Sequence, residues 1–504
     1  MDLHQTMPPD PNHTGFEPTR KPVLNPFLPL SEYIPDGEPH VFGERVYLFG
    51  SHDEEGGDTY CALDYVFYSA PIDDLSKWTS KGVNYRASQD PSYGPGRRYM
   101  FAPDVVRGND GRYYLYYGMS GDKGRGGYSG PISVAVSDEP DGNYEYLGVV
   151  RHRTGLAFTD YVMFDPALIN DSGVIRLYFG ACHPFDDLPA ITRPFTRRMQ
   201  AAIFDRPVKA IKAQPGGIQG ALTVQLADDM MTVISSPSRI VPTRTKGTSF
   251  EGHAFFEASS IRKIGETYYF VYSSTNSHEL CYATSSHPDH GFVFRGTMVS
   301  NGDVGYNGRR PKDRVAQTGS NHGSIEQIGG RWYVFYHRNT HGSLWSRQAC
   351  AEEVTILPDG SIPQVELTSS GLNGAPLPAR GEYPAAICCH LTNGNMPHGA
   401  AKKRTPRITF DGTDRYVQWI TNGTKVGYKH FSFDLPVRLT IHTRGPGQGY
   451  LALSTEDGSA GSIAIQPSDS WTAGSTTINL TGTHALFLRF VGTGDIDLLN
   501  IAFD

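Results

Sequence analysis

One pattern occurs five times between residues 35 and 337: an acidic residue or a histidine, a short apolar stretch, a turn of Gly, Asp or Asn, and an aromatic strand. The copies read "PDGEPHVFGERVYLFGS", "PDVVRGNDGRYYLYYG", "DPALINDSGVIRLYFG", "EASSIRKIGETYYFVYSS" and "NHGSIEQIGGRWYVFYH". Each has the form of a β-hairpin, two strand-length apolar runs around a turn. The stretches that follow, such as "YVFYSAPIDDLSKW", "ISVAVSDEPDGNYEY" and "LCYATSSHPDHGFVF", add a third strand and a turn into a fourth. A four-stranded unit of about 60 to 90 residues cannot bury its faces alone, and five in succession specify a five-bladed β-propeller.

Composition agrees with an all-β chain of few helices. There are 28 Tyr and 25 Phe for strands, and 56 Gly and 35 Pro for turns. With 504 residues the chain has room for more than one core. The hairpin repeat stops in the Gly, Pro and Ser-rich stretch before residue 380. From "RITFDGTDRYVQW" onward, short alternating strands predict a β-sandwich of jelly-roll type. The expected organisation is an N-terminal extension over residues 1–21, a propeller over 22–379 and a sandwich over 380–504.

The formal charge is -7, with Lys and Arg scattered, which excludes a nucleic-acid stripe and a basic membrane-binding helix. No apolar leader and no run long enough to span a bilayer is visible, so the expected location is cytoplasmic and the expected partner a small neutral molecule. Oligomeric state is not legible. The six cysteines lack CxxC spacing and sit in strand-like runs, as reduced structural thiols do. The glycine-rich "GDKGRGGYSGP" at 121–131 lacks the strand-to-helix context of a phosphate loop, and reads instead as a mobile loop at the site's rim.

In a propeller the first strand of each blade lines the central channel. The leading residues Asp36, Asp104, Asp165, Glu257 and His322 are therefore expected at one mouth, in one register. Carboxylates so crowded cannot all ionise freely, and a protonated acid beside an ionised base is what glycosidic cleavage requires. The same ring can instead hold a divalent cation, although no dense D-x-D loop is present; a single ion hydrated near His322 on the axis would tune charge rather than cleave. A propeller that binds sugar without cleaving it is the competing class.

The strings "YIPDGEPHV", "FAPDVV", "MFDPALIN", "FFEASSIRKIGETYYFVYSS" and "NHGSIEQIGGRWYVFYHR" resemble, in order and spacing, glycoside hydrolase family 43 over about residues 22–375. The resemblance implies an inverting hydrolase that releases terminal α-L-arabinofuranosyl or β-D-xylosyl units from hemicellulose-derived oligosaccharides, with no cofactor required for the chemistry. Galactofuranose and fructan-cleaving specificities are the alternatives within the fold. It further implies Asp36 as general base, Asp165 as the carboxylate that tunes and orients the acid, and Glu257 as general acid.

Asp104 matches the aspartate of the family's W-A-P-D motif, a structural or substrate-hydroxyl partner, with Phe101 where that motif usually carries Trp. His322 resembles a fifth-blade histidine that contacts a hydrated axial ion, and Arg347 a substrate-contacting arginine. His253 is expected along the sugar pocket. The ending "TGTHALFLRFVGTGDIDLLNIAFD" resembles carbohydrate-binding module family 6, which implies sugar-stacking roles for Trp419, Tyr450 and Trp471 and a second place, besides the axis, for calcium.

Overall fold

The computed structural model describes residues 21–121, 127–214, 216–402 and 404–504. The expected N-terminal extension, apart from Lys21, and residues 122–126 of the glycine-rich stretch lie outside them. The chain is all-β, with two short α-helices at Arg193–Ile203 and Val208–Ala213. No helix among the described residues is long and apolar enough to cross a membrane.

Five antiparallel sheets follow one another in sequence, each with its strands hydrogen-bonded in chain order. Their first strands are Glu38–Phe42, Tyr99–Arg107, Ala167–Asp171, Phe255–Ile264 and Ile325–Ile328. Tight turns close the leading hairpins. In the third sheet Asp171 pairs with Val174 across Ser172 and Gly173, both at positive φ (55° and 91°), the primed geometry that matches strand twist.

The first four sheets have four strands, but the fifth has three, which corrects the expected four. Its last strand, Arg347–Val354, finds another partner along its open edge. The Asn25 side chain donates to Ala351 O (3.1 Å) and accepts from Ala351 N (3.2 Å), and Gln348 donates to Leu30 O (2.9 Å). An amide side chain thus satisfies backbone groups that a fourth strand would have paired.

Each pair of neighbouring sheets shares its own apolar core. Phe49 and Phe67 meet Leu115 and Tyr117; Tyr116 and Val134 meet Leu177 and Phe179; Tyr178 meets Phe270 and Tyr272; Tyr269 and Tyr282 meet Val334 and Tyr336. The fifth sheet then packs back on the first, where Tyr333 and Phe335 meet Val46 and Leu48. Alternate residues of a strand face opposite neighbours, which is why these strands are apolar on both faces.

Residues after 376 build two six-stranded sheets around a single core, with Tyr428, Leu451, Leu488 and Phe490 on one side and Val417, Leu439, Leu498 and Phe503 on the other. Buried polar contacts join this part to the rest. Lys429 Nζ reaches Asp303 (3.1 Å) and Glu366 (2.9 Å), and Arg415 pairs with Glu55. All six cysteines are free and buried, the adjacent Cys388 and Cys389 included.

Phe270 is fully buried between the third and fourth sheets, against Phe255, Tyr272 and Phe292. Phe270→Ala is expected to cost about 3–5 kcal/mol of stability, read as a lower urea midpoint at unchanged slope.

Candidate active site

The leading residues of the repeats do not all share one register. Asp36, Asp165 and His322 each stand seven residues ahead of the first residue of their hairpin turn, at Gly43, Ser172 and Gly329. In the fourth copy that place is Ala258, with Glu257 one earlier at a β-bulge. In the second copy Asp104 stands only four residues ahead of Gly108, beyond the bulge that separates Phe101 from Asp104.

Because side chains on one face repeat every two residues, this shift puts Asp104 one layer deeper. It accepts hydrogen bonds from His40 Nε2 and Leu168 N, both 2.6 Å, and is fully buried. In the same layer Ser260 links Glu38 (3.1 Å) and Ser324 (2.6 Å). The expectation of Asp104 at the mouth is corrected: it ties first strands together beneath the site.

Asp36, Asp165, Glu257, His322, Arg347 and Phe101 do line one cavity of about 540 Å³, a volume suited to a small ligand. His253 does not. It stacks on Phe294 (4.6 Å) and bonds Glu279 (2.8 Å), facing a separate cleft of the fourth sheet. The backbone around the cavity is held in unusual conformations: Asp36, Ala102, Asp165 and Ala258 all have positive φ, of 58°, 39°, 44° and 67°. For non-glycine residues this costs of order 1–3 kcal/mol each and persists only where the surroundings enforce it.

Arg347 grips the first of these, Asp36. Its Nη1 donates to Asp36 Oδ1 (2.8 Å), while Nε (2.8 Å) and Nη2 (3.0 Å) grip both oxygens of Asp53, and its own backbone N adds a third bond to Asp53 (3.1 Å). Tyr60 covers the guanidinium at 4.9 Å. Burial, the largest single effect, would raise the Asp36 carboxyl, but Arg347 first, with His337, His322 and the Ser51 hydroxyl, together outweigh it, and the group lies below its ordinary value. His322 and His337 are pushed down to about 4 and about 3, chiefly by burial, so both are neutral near pH 7 and Arg347 is the cation that acts. His337 accepts from Asp36 N (3.2 Å) and donates from Nε2 to Ser320 O (2.9 Å), which fixes its tautomer.

The other two carboxyls go the opposite way. Burial, then the charge of Asp36, raises Glu257 to about 7, against the opposing pull of Arg347 and Tyr128, whose hydroxyl lies 3.4 Å away. Asp165 is raised by burial and by Glu257 and Asp36. It accepts the backbone N–H of Ala258 (2.8 Å) and so holds the chain next to Glu257. One carboxylate is thus kept charged and another kept protonated, in one cavity walled by Tyr60, Phe101, Tyr128 and Phe164.

His322 Nδ1 lies 3.8 Å from both Asp36 Oδ1 and Asp165 Oδ2. Calcium takes six to eight oxygen ligands, and here Asp36 Oδ1 is engaged by Arg347 while Asp165 Oδ2 accepts from Ala258. The residues present do not form a direct calcium cage at His322. Among the described residues, the three-ligand groups are His253–Glu279–Cys281 and Glu38–His40–Asp104; neither lies beyond residue 380.

Of the expected sugar-stacking aromatics, Trp419 lies under Arg407 (4.5 Å) and Trp471 under Arg444 (4.2 Å), so each has a face covered, while Tyr450 is exposed. Sequence reasoning missed Asp53, Tyr60, Tyr128 and His337. Asp53, closing the "FGSHD" run, carried a signal, an acid directly after a buried strand; Tyr128 lay hidden in the glycine-rich stretch.

The profile of the glycosyl hydrolases family 43 matches residues 21–193. A xylosidase/arabinosidase of Thermoclostridium stercorarium is 42% identical over 500 residues, covering 95% of this chain and 98% of its own. An arabinoxylan arabinofuranohydrolase of Paenibacillus polymyxa is 25% identical over 525 residues, covering 94% of this chain and 73% of its own. Among solved structures, a family 43 β-xylosidase/α-arabinofuranosidase from a compost microbial metagenome, in complex with xylotriose and calcium-free, superposes with a TM-score of 0.50 at 26% identity, covering 69% of this chain and 97% of that one.

Arg347→Met leaves Asp36 and Asp53 buried without their cation, and is expected to cost about 3–5 kcal/mol at pH 7. Asp36, whose value is depressed, contributes stability above its unfolded value that is lost as pH falls. Protonating the stranded carboxyls relieves the variant, so its deficit in urea unfolding should shrink from pH 7 to pH 5.

Proposed function

The chain belongs to the glycosyl hydrolases family 43, and from that premise we propose how it works: it is an exo-acting hemicellulose glycosidase that releases terminal α-L-arabinofuranosyl or β-D-xylosyl units from neutral oligosaccharides. The observation that carries the mechanism is the split in protonation across one cavity, with Asp36 held ionised by Arg347 and Glu257 held protonated up to about 7.

Glu257 gives its proton to the glycosidic oxygen as the bond to the anomeric carbon breaks. Asp36 takes a proton from the water that attacks that carbon from the opposite face, so configuration inverts. Solvent then returns Glu257 to its acid form and Asp36 to its base form. Asp165, bonded to the backbone of the residue after Glu257, positions the acid, while burial and the charge of Asp36 keep it protonated. Phe101 and the neighbouring rings shape the sugar pocket, and His322 and Arg347 bind beside it. Acid–base chemistry of this kind needs no cofactor.

The cyclic packing of the five sheets supports reading residues 22–379 as a five-bladed β-propeller, with the site at one end of its axis. The two facing sheets support a β-sandwich over 380–504. Tyr450, exposed like Phe410, is a place where a carbohydrate-binding role of that unit would act.

Initial rates on aryl α-L-arabinofuranoside and aryl β-D-xyloside test the proposal. Asp36→Asn is expected to lower kcat about 10²–10⁴-fold. The wild-type rate should fall as pH rises through about 7, where Glu257 loses its proton, and Glu257→Gln should remove that limb. A protein that turns over neither glycoside, or an Asp36→Asn variant as active as wild type, overturns the assignment.

A further inference from the structure

One stretch of the cavity rim comes from the far end of the chain. Pro397, His398 and Gly399 run alongside Thr318 as a short parallel bridge: Thr318 N donates to Pro397 O (3.1 Å) and Gly399 N to Thr318 O (2.6 Å). Gln317 Nε2 adds a bond to Gly399 O (2.9 Å), and Ala401 N donates to Gly342 O (2.8 Å). Backbone bonds on both sides of His398 therefore fix a strap of chain, beyond the last strand of the fifth sheet, across the mouth of the cavity. His398 and Gly399 line that cavity.

The orientation of the His398 ring is fixed as well. Arg314 Nη1 donates to the Thr318 hydroxyl (3.1 Å), which in turn is hydrogen-bonded to His398 Nδ1 (3.0 Å). Nε2 is hydrogen-bonded to Ser277 Oγ (3.2 Å), so the ring is held from both sides. Burial and Arg314 both lower the His398 value, which keeps the ring neutral. A neutral imidazole with both nitrogens engaged presents its ring face to a cavity that Ser277 and Asn321 also line, a surface for a neutral sugar rather than for charge.

Depth decides which sugar it meets. Asp36, Asp165 and His322 are 5%, 4% and 6% exposed at the bottom of the cavity, whereas His398 is exposed at its mouth. In an exo-acting enzyme the terminal sugar occupies the bottom and the rest of the substrate leaves through the mouth. Resting on the exo reading above, we propose that the strap Pro397–Ala401 forms the leaving-group subsite, with His398 as its specificity-determining residue, contacting the second sugar of an oligosaccharide. The C-terminal sheets thereby supply part of the substrate site rather than an independent binding surface.

The test separates this inference from the catalytic one by measuring binding without turnover. In the Asp36→Asn background, calorimetry compares xylotriose with xylose, and arabinoxylo-oligosaccharide with arabinose, before and after His398→Ala. The expected result is a fall of about fivefold or more in the ratio of oligosaccharide to monosaccharide affinity, from the lost ring contact with the second sugar. An unchanged ratio overturns the proposal, as does an equal loss for both ligands, which would mark a structural role.

Hydrogen exchange of the unaltered chain does not depend on the variant folding. Oligosaccharide, but not monosaccharide, should slow exchange across residues 397–401; no difference between the two counts against the subsite. If the enzyme hydrolyses no glycoside yet the ratio falls, the strap stands and the catalytic reading fails.

Discussion

The structure turns on a guanidinium. Arg347 opens the last strand of the fifth sheet and reaches the residues that flank the first hairpin, Asp36 before it and Asp53 after it. It therefore joins the end of the ring of sheets to its beginning, in the place where apolar packing gives way to a polar cavity. A buried arginine is tolerable only with its charge and its donors matched. Two carboxylates provide that match, and the fork geometry holds them in fixed positions.

The charge distribution of the cavity follows from this one pairing. Asp36 has a cation against it and stays ionised although buried. Asp165 and Glu257, on the third and fourth sheets, have no such partner within hydrogen-bonding range among the described residues, feel the negative charge of Asp36, and are pushed toward their protonated forms. Identical functional groups thus acquire opposite protonation because five sheets bring them to one low-dielectric space. The neutral histidines His322 and His337 fill the space between without adding charge that would upset the division.

Beneath the cavity the same first strands present a second polar layer, in which Asp104, Glu38, Ser260 and Ser324 bond across sheets. Its role is to hold register, since a slip of one residue in a first strand would turn the carboxyls away from the cavity. The C-terminal part adds to the cavity's lining from outside, through His398 and Gly399 of the strap at Thr318, while Arg415 pairs with Glu55 away from that lining.

Recurrence in the sequence was sufficient for the five hairpins, because alternating aromatic strands and turn residues are local signals, and for singling out Asp36, Asp165, Glu257 and His322 as a set. It was insufficient for Asp104, whose three-residue offset includes a bulge that no local pattern announces, and for His253, whose neighbour Glu279 is chosen by packing. It was also blind to the fifth sheet's missing strand, since a single side chain, Asn25, covers that edge from more than 300 residues away.

What the chain determines by itself is where strands and turns fall and which residue types stand at their starts. What only the tertiary structure decides is which of those residues meet. Charge pairing, desolvation and the rim at His398 arise between segments far apart in sequence, and their energies depend on distances of a few ångströms that no spacing along the chain encodes.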